Sequence, residues 1–262
     1  MSDNSKKIAY AVLSCDPYSD IWDCYGQLFQ RFWPDCPYDY YMASNHKSFD
    51  KYGFTPILLG DDISWSHGLL ALINVLESKG YEYAMIAFDD LLMVKKVDTP
   101  FVTSSINKFV EEKGQCLRFN TQRCSRCYKH NKIYGKLGEK VPYRVVLGFT
   151  VWNLQSLKSL VVEGESAWQF EKNATERSFD LKDFYCTWRN PFDVLNLIVK
   201  RKIDIKEFEK LKKLIPEASF EREQIYVKGE KFKGVFLLAF LKYFPRRYQY
   251  SVYKLFTKPI NL

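Results

Sequence analysis

The stretch YEYAMIAFDDLLM, residues 81–93, carries an apolar run, Ala84 to Phe88, straight into two carboxylates, Asp89 and Asp90, before it turns apolar again. A short apolar run that follows Gly80 and ends in acids reads as a buried strand. Open α/β sheets hold their ligands or metals at the carboxyl ends of such strands. A buried carboxylate without compensation is costly, so the pair should face a cleft, a cation or a hydrogen-bond partner. The competing reading has one Asp capping a turn and the other in solvent.

Upstream, the pattern repeats. IAYAVLS, residues 8–14, is a first, central strand broken by Cys15-Asp16-Pro17. Ser19 or Asp20 can cap a helix that places Ile21, Trp22, Tyr25, Leu28, Phe29 and Phe32 at helical spacing, and Pro34 and Pro37 stop it. Residues 38–43 and 55–59 are strands ending at Ser44-Asn45-His46 and Gly60-Asp61-Asp62. A helix from Ser64 or Ser66 to about Lys79 ends at Gly80, which suits the left-handed position after a helix. Downstream, Asp98-Thr99-Pro100 opens a helix, and residues 115–119 return as a strand. Strands ending in polar residues and alternating with helices define an α/β fold with a parallel or mixed sheet flanked by helices.

Residues 120–143 read as a long polar excursion, residues 144–152 as a strand, 154–162 as a helix and 184–188 as a short strand. From Pro191 the chain reads as helical. The expected division is a domain over 1–200 and a helical, basic C-terminal extension over 201–262. In residues 228–262 Lys and Arg are opposed by Glu230 alone and interleave with aromatic and aliphatic side chains. That composition suits either a helix in the interface of an anionic membrane or an amphipathic helix packed on the core.

The 262 residues, 47% hydrophobic and 17% aromatic, suffice for a large core, and the net charge is +8. No apolar run spans a bilayer, and MSDNSKK leads into the first strand without a signal-like apolar segment. Seven scattered cysteines form no disulfide framework. The expected location is the cytoplasm, with peripheral contact at the inner face of the plasma membrane through residues 228–262. Cys124, Cys127 and His130 mimic part of a zinc knuckle but lack a fourth ligand at suitable spacing; a surface loop with free thiols is the other reading. No Gly-x-Gly-x-x-Gly follows the first strand and no phosphate-binding P-loop occurs. The missing glycine loop disfavours sugar-phosphate nucleotidyltransferases, and no motif points to nucleic acid.

Taken in order, SCDPYSDIWDCYGQLFQRFWPDCPYDYYMASN, LLGDDISWSHGLLALI, YAMIAFDDLLMVKKVDT, LGFTVWNLQSL and EGESAWQFEKNATERS resemble bacterial glycosyltransferases with a GT-A-type, Rossmann-like nucleotide-sugar fold, those of capsule, O-antigen and lipopolysaccharide assembly. The similarity covers roughly residues 8–190. It implies a nucleotide-diphosphate sugar donor, UDP-linked, and a lipid-linked or polysaccharide acceptor. Asp16, Asp20 and Asn45 would then contact uracil or ribose. Asp89-Asp90 would stand where the family carries its Asp-x-Asp element, with Asp90 at a divalent cation (Mg2+ or Mn2+) or the diphosphate, and Asp89 in support. The departure is that the acids are adjacent, and adjacent strand residues point to opposite faces.

Glu165, after Gly164 at the start of a helix, is the candidate base for an inverting transfer, removing the proton of the acceptor hydroxyl. Trp65 and Ser66, where free amides open a helix, are candidate sugar or anion contacts. Trp168 can stack on the acceptor, Glu171 can bind it, and Arg177 can meet phosphate or pair with Glu171. The alternative function is a non-catalytic carbohydrate- or lipid-binding protein on a degenerate transferase fold.

Overall fold

The structure, a computed structural model, describes residues 7–119, 127–227, 248 and 250–253. Its fourteen described strands are β1 (Ile8–Leu13), β2 (Asp39–Ser44), β3 (Thr55–Leu58), β4 (Tyr83–Phe88), β5 (Leu91–Met93), β6 (Cys116–Arg118), β7 (Cys127–Lys129), β8 (Tyr134–Leu137), β9 (Thr150–Asn153), β10 (Phe184–Thr187), β11 (Val194–Asn196), β12 (Ile198–Val199), β13 (Lys202–Asp204) and β14 (Gln224–Ile225). The helices are α1 (Trp22–Phe32), α2 (Trp65–Ser78), α3 (Thr99–Glu111), α4 (Leu154–Leu160), α5 (Ala167–Arg177) and α6 (Ile205–Leu214).

All six residues of β1 are buried, because it is a central strand covered on both faces and so reads as a continuous apolar run. Its side chains alternate between two cores. Tyr10 and Val12 join Met85, Ala87 and the α1 and α3 side chains on one face, while Ala9 and Ala11 join Ala84, Ile86 and the α2, α4 and α5 side chains on the other. The helices end where their residues require it. Ser64 caps α2 by accepting from the His67 amide at 3.1 Å, and Gly80, at φ +89°, lies just beyond its last turn. Asp98 caps α3 through the Phe101 amide, with Pro100 in the first turn.

The large sheet has the order β3-β2-β1-β4-β9-β6-β10-β8-β7. β3, β2, β1 and β4 run parallel, and β9 is antiparallel to both β4 and β6. The expectation of a mixed α/β sheet flanked by helices holds. From β1 the chain winds outward through β2 and β3, then returns to place β4 on the other side of β1. The sheet therefore has its switch point between β1 and β4, and open α/β sheets form their ligand crevice beyond the strands' carboxyl ends at such a point.

Three expectations change. The excursion over 120–143 contains the hairpin β7–β8, which extends the sheet beyond β10, and Tyr134 within it is fully buried. Of residues 144–152 only those from Thr150 pair as a strand. Gly148 and Phe149 adopt positive φ and break the extension, while Arg144 is anchored to the carbonyls of Gly138, Ser178 and Leu181. The chain after Pro191 is not helical at once: β11 pairs with β5, and β12, β13 and β14 form a small separate sheet before and after α6. Lys200 and Arg201, at the expected domain boundary, are the tip of the β12–β13 hairpin.

Most of the basic C-terminal stretch and Cys124 of the knuckle-like group lie outside the described residues. Tyr250–Tyr253 are helical; the Tyr250 hydroxyl donates to Glu176 at 2.6 Å, and its ring meets Phe179 edge-on. His130 is engaged by Glu112 at 2.9 Å. No described helix is long and apolar enough to cross a membrane.

Candidate active site

The register of β1 against β4 pairs Leu13 with Phe88, so the next residues, Ser14 and Asp89, meet at the switch point. The Ser14 hydroxyl donates to Asp89 Oδ2. The Trp22 indole nitrogen, at the start of α1, donates to Ser14 Oγ at 2.7 Å and lies 3.3 Å from the same Asp89 oxygen. Trp22 is itself buried and held edge-on against Phe49. Asp89 is only 5% exposed. Asp90 is half-buried, and its carboxylate bonds to no other side chain among the described residues. Its backbone is fixed instead, with the Leu197 amide donating to the Asp90 carbonyl at 3.0 Å.

The electrostatics follow from that packing. Burial first, then the charge of Asp90, raises the Asp89 carboxyl above its ordinary value, with the Ser14 and Trp22 hydrogen bonds opposing. Burial raises Asp90 as well. No salt bridge to a described residue reaches either acid. Two adjacent carboxylates of raised pKa are oxygen donors of the kind a hard divalent cation takes, and no third His, Cys, Asp or Glu among the described residues joins them. Asp90 would be its principal ligand. Burial and then the charge of Asp89 push the neighbouring Cys15 thiol up to about 12, which disfavours its thiolate.

The loop after β1 is laced to its neighbours. The Asp16 carboxylate accepts from the amides of His46 and Lys47 at 3.0 Å, and its own amide donates to Asn45 Oδ1 at 3.2 Å. Asn45 in turn donates to the Gly60 carbonyl at 3.2 Å. Burial alone would raise the Asp16 carboxyl, but the Lys47 and His46 amides outweigh it and leave it below the ordinary range. Asp16 and Asn45 thus stitch together the carboxyl ends of β1, β2 and β3. Asp20 caps no helix. A 3-10 turn, Asp16–Ile21, precedes α1, and both Asp20 oxygens accept from Arg222 at 2.6 Å.

A second group lies where α2 begins and α5 approaches. The Ser66 amide is already spent on the Glu165 carbonyl at 3.2 Å, and the amides of His67 and Gly68 on Ser64. This corrects the expectation of free donors there. Trp65 packs on Phe170 at 5.5 Å between ring centroids. Glu165 is an ion-pair partner rather than a free carboxylate, bound at both oxygens by Arg177 (2.9 and 2.6 Å) and by Asn173 at 2.7 Å. Arg177 comes first among the causes that hold its carboxyl below the ordinary range, against burial. Arg177 therefore pairs with Glu165, not Glu171. Glu171 accepts from the Leu147 amide at 3.1 Å, and Trp168 is 75% exposed. Sequence reasoning missed Ser14, Trp22, Leu197 and Arg222. The first two emerge only once β1 and β4 are paired, and Arg222 follows Asp20 by 202 residues.

No protein-family model matches the chain, and no curated protein matches it. Among solved structures, UDP-glucose pyrophosphorylase complexed with UDP-glucose aligns over 81% of this chain and 98% of its own, at 7% identity and TM-score 0.50. The apo form of UDP-glucose pyrophosphorylase aligns over 80% and 98%, at 8% identity and TM-score 0.48. TarS 1–349 of S. aureus aligns over 98% and 76%, at 8% identity and TM-score 0.49. At such identities the likeness is one of fold alone, a mixed α/β sheet flanked by helices.

Proposed function

We propose that the protein is a glycosyltransferase that moves a sugar from a nucleotide-diphosphate donor, UDP-linked, to a hydroxyl of a growing bacterial surface glycan. The observation that carries the proposal is the acid pair at the switch point, with Asp90 half-buried and bonded to no other side chain among the described residues, beside the loop that follows β1. The absence of a glycine-rich loop in SCDPYSD favours glycosyl over nucleotidyl transfer. The resemblance of the ordered segments, from SCDPYSD to EGESAWQF, supports the surface-glycan assignment.

In the reaction the acceptor oxygen attacks the anomeric carbon with inversion. The bond to the diphosphate breaks, its electron pair leaves on the diphosphate, and a base takes the hydroxyl proton. A divalent cation at Asp90 would supply charge neutralisation at that leaving group. Ser14 and Trp22 hold Asp89 still, and Asp16 and Asn45 order the wall beside the nucleoside. Glu165 can serve as base only when Arg177 releases it; Trp168 is free to stack on an acceptor sugar. Residues 228–262 would bring the enzyme to an anionic inner leaflet.

The test is titration of UDP with and without Mn2+, on the parent chain and on Asp90→Asn. The variant should lose metal-dependent affinity, and an unchanged isotherm removes Asp90 from the site. The engagement of Glu165 by Arg177 favours a second reading, a non-catalytic sugar- or lipid-binding protein. Turnover of any UDP-sugar excludes it.

A further inference from the structure

The segment Val194–Ile225 is fastened to both sides of the crevice. On one side β11 pairs antiparallel with β5, the strand that leaves the acid pair, and Leu197 holds the Asp90 carbonyl at 3.0 Å. On the other side Arg222 reaches the loop after β1. Its Nε and Nη2 each donate to an Asp20 oxygen at 2.6 Å, Nη2 also donates to the Pro17 carbonyl, and the guanidinium lies 4.6 Å from the Tyr18 ring centroid. The Arg222 side chain is only 12% exposed despite its place in a loop. Between the β1 loop and this segment is an open groove, lined by Asp16, Ser19 and Lys47 from one side and Phe220, Glu221 and Arg222 from the other.

We infer that Val194–Ile225 is a clasp across the crevice and that Arg222 is its latch. Arg222 is a positioning residue that holds the β1 loop in register with the acid turn and so sets nucleotide affinity without touching the reacting atoms. The inference rests on the donor site proposed above. Its physical basis is preorganisation, since a loop ordered before binding need not be ordered by the ligand. The two-pronged, stacked geometry is specific to a guanidinium, and a lysine ammonium cannot reproduce it.

The experiment is calorimetric titration of the full chain with UDP and Mn2+, for the parent, Arg222→Ala, Arg222→Lys and the charge-swapped double variant Asp20→Arg/Arg222→Asp, with thermal unfolding of each. Arg222→Ala should weaken UDP about tenfold through lost preorganisation. Arg222→Lys should fall between it and the parent, and the double variant should recover most of the loss. Melting temperatures should stay within about 4 °C of the parent, as expected for a loss of roughly 1 kcal/mol in a chain of this size. If Arg222→Ala fails to fold, Arg222→Lys carries the comparison. Unchanged affinity in the single variants overturns the latch. Loss without recovery in the swapped pair also overturns it, since Arg222 or Asp20 would then contact the nucleotide directly. A parent chain that binds no UDP removes the donor reading, and the latch with it.

Discussion

Asp89 is bonded by Ser14 and Trp22, yet its burial and its neighbour Asp90 both oppose ionisation. Between the ordinary carboxyl value of 3.8 and the raised one, the folded chain keeps a proton that the unfolded chain has lost. Stability therefore falls as pH rises through that window. Asp89→Asn removes the effect while keeping an oxygen for Ser14 and Trp22. The variant should melt with the parent at about pH 4 and above it at about pH 8. A variant no more stable than the parent at the higher pH contradicts this account of the pair. Glu165 has the opposite sign. Its carboxyl is held below the ordinary value, so the stability it contributes is present above that value and is lost as pH falls through the lowered one. Glu165→Gln should cost about 1 kcal/mol at neutral pH, read by thermal unfolding, and leave UDP affinity intact. Retained sugar transfer in this variant would leave the ion pair as its whole role.

At the scale of elements, the sequence is most legible where a local signal and the tertiary contacts agree. β1 and β4 are buried on both faces and read as apolar runs; α2 and α3 carry caps whose amides are bonded as their residues suggest. Legibility fails where pairing is supplied from far away. β8 is polar enough to read as loop, yet it becomes strand because β10 offers it a partner. β11 reads as part of a helix, yet it becomes strand against β5. Residues 144–149 look like strand, but Gly148 and Phe149 at positive φ turn the chain, and buried Arg144 satisfies distant carbonyls instead. The α2 amino end looked open because nothing in its own sequence reveals that the Glu165 carbonyl, from another element, occupies the Ser66 amide. The acid turn was visible as two adjacent carboxylates, but their division of labour was not. One oxygen of Asp89 faces inward to Ser14 and Trp22, which leaves Asp90 as the member bonded to no other side chain among the described residues.

For the molecule as a whole, the switch point brings the ends of β1, β2 and β4 together, and the segment Val194–Ile225 ties the acid turn to the loop after β1. The basic, aromatic residues 228–262 belong to the same scale, because their proposed partner is a surface rather than a pocket. A chain ending at residue 227 should lose sedimentation with anionic vesicles, while neutral vesicles bind neither form; sedimentation equal to that of the full chain excludes the membrane role. The central claim is that the switch-point acids form a metal-assisted nucleotide-sugar site. UDP titrated into the full chain by calorimetry, with and without Mn2+, tests it most directly. The account predicts saturable binding that tightens at least about tenfold with Mn2+ in the parent, a gain of about 1.4 kcal/mol, and no such gain in Asp90→Asn. A parent chain that binds no UDP under either condition contradicts it.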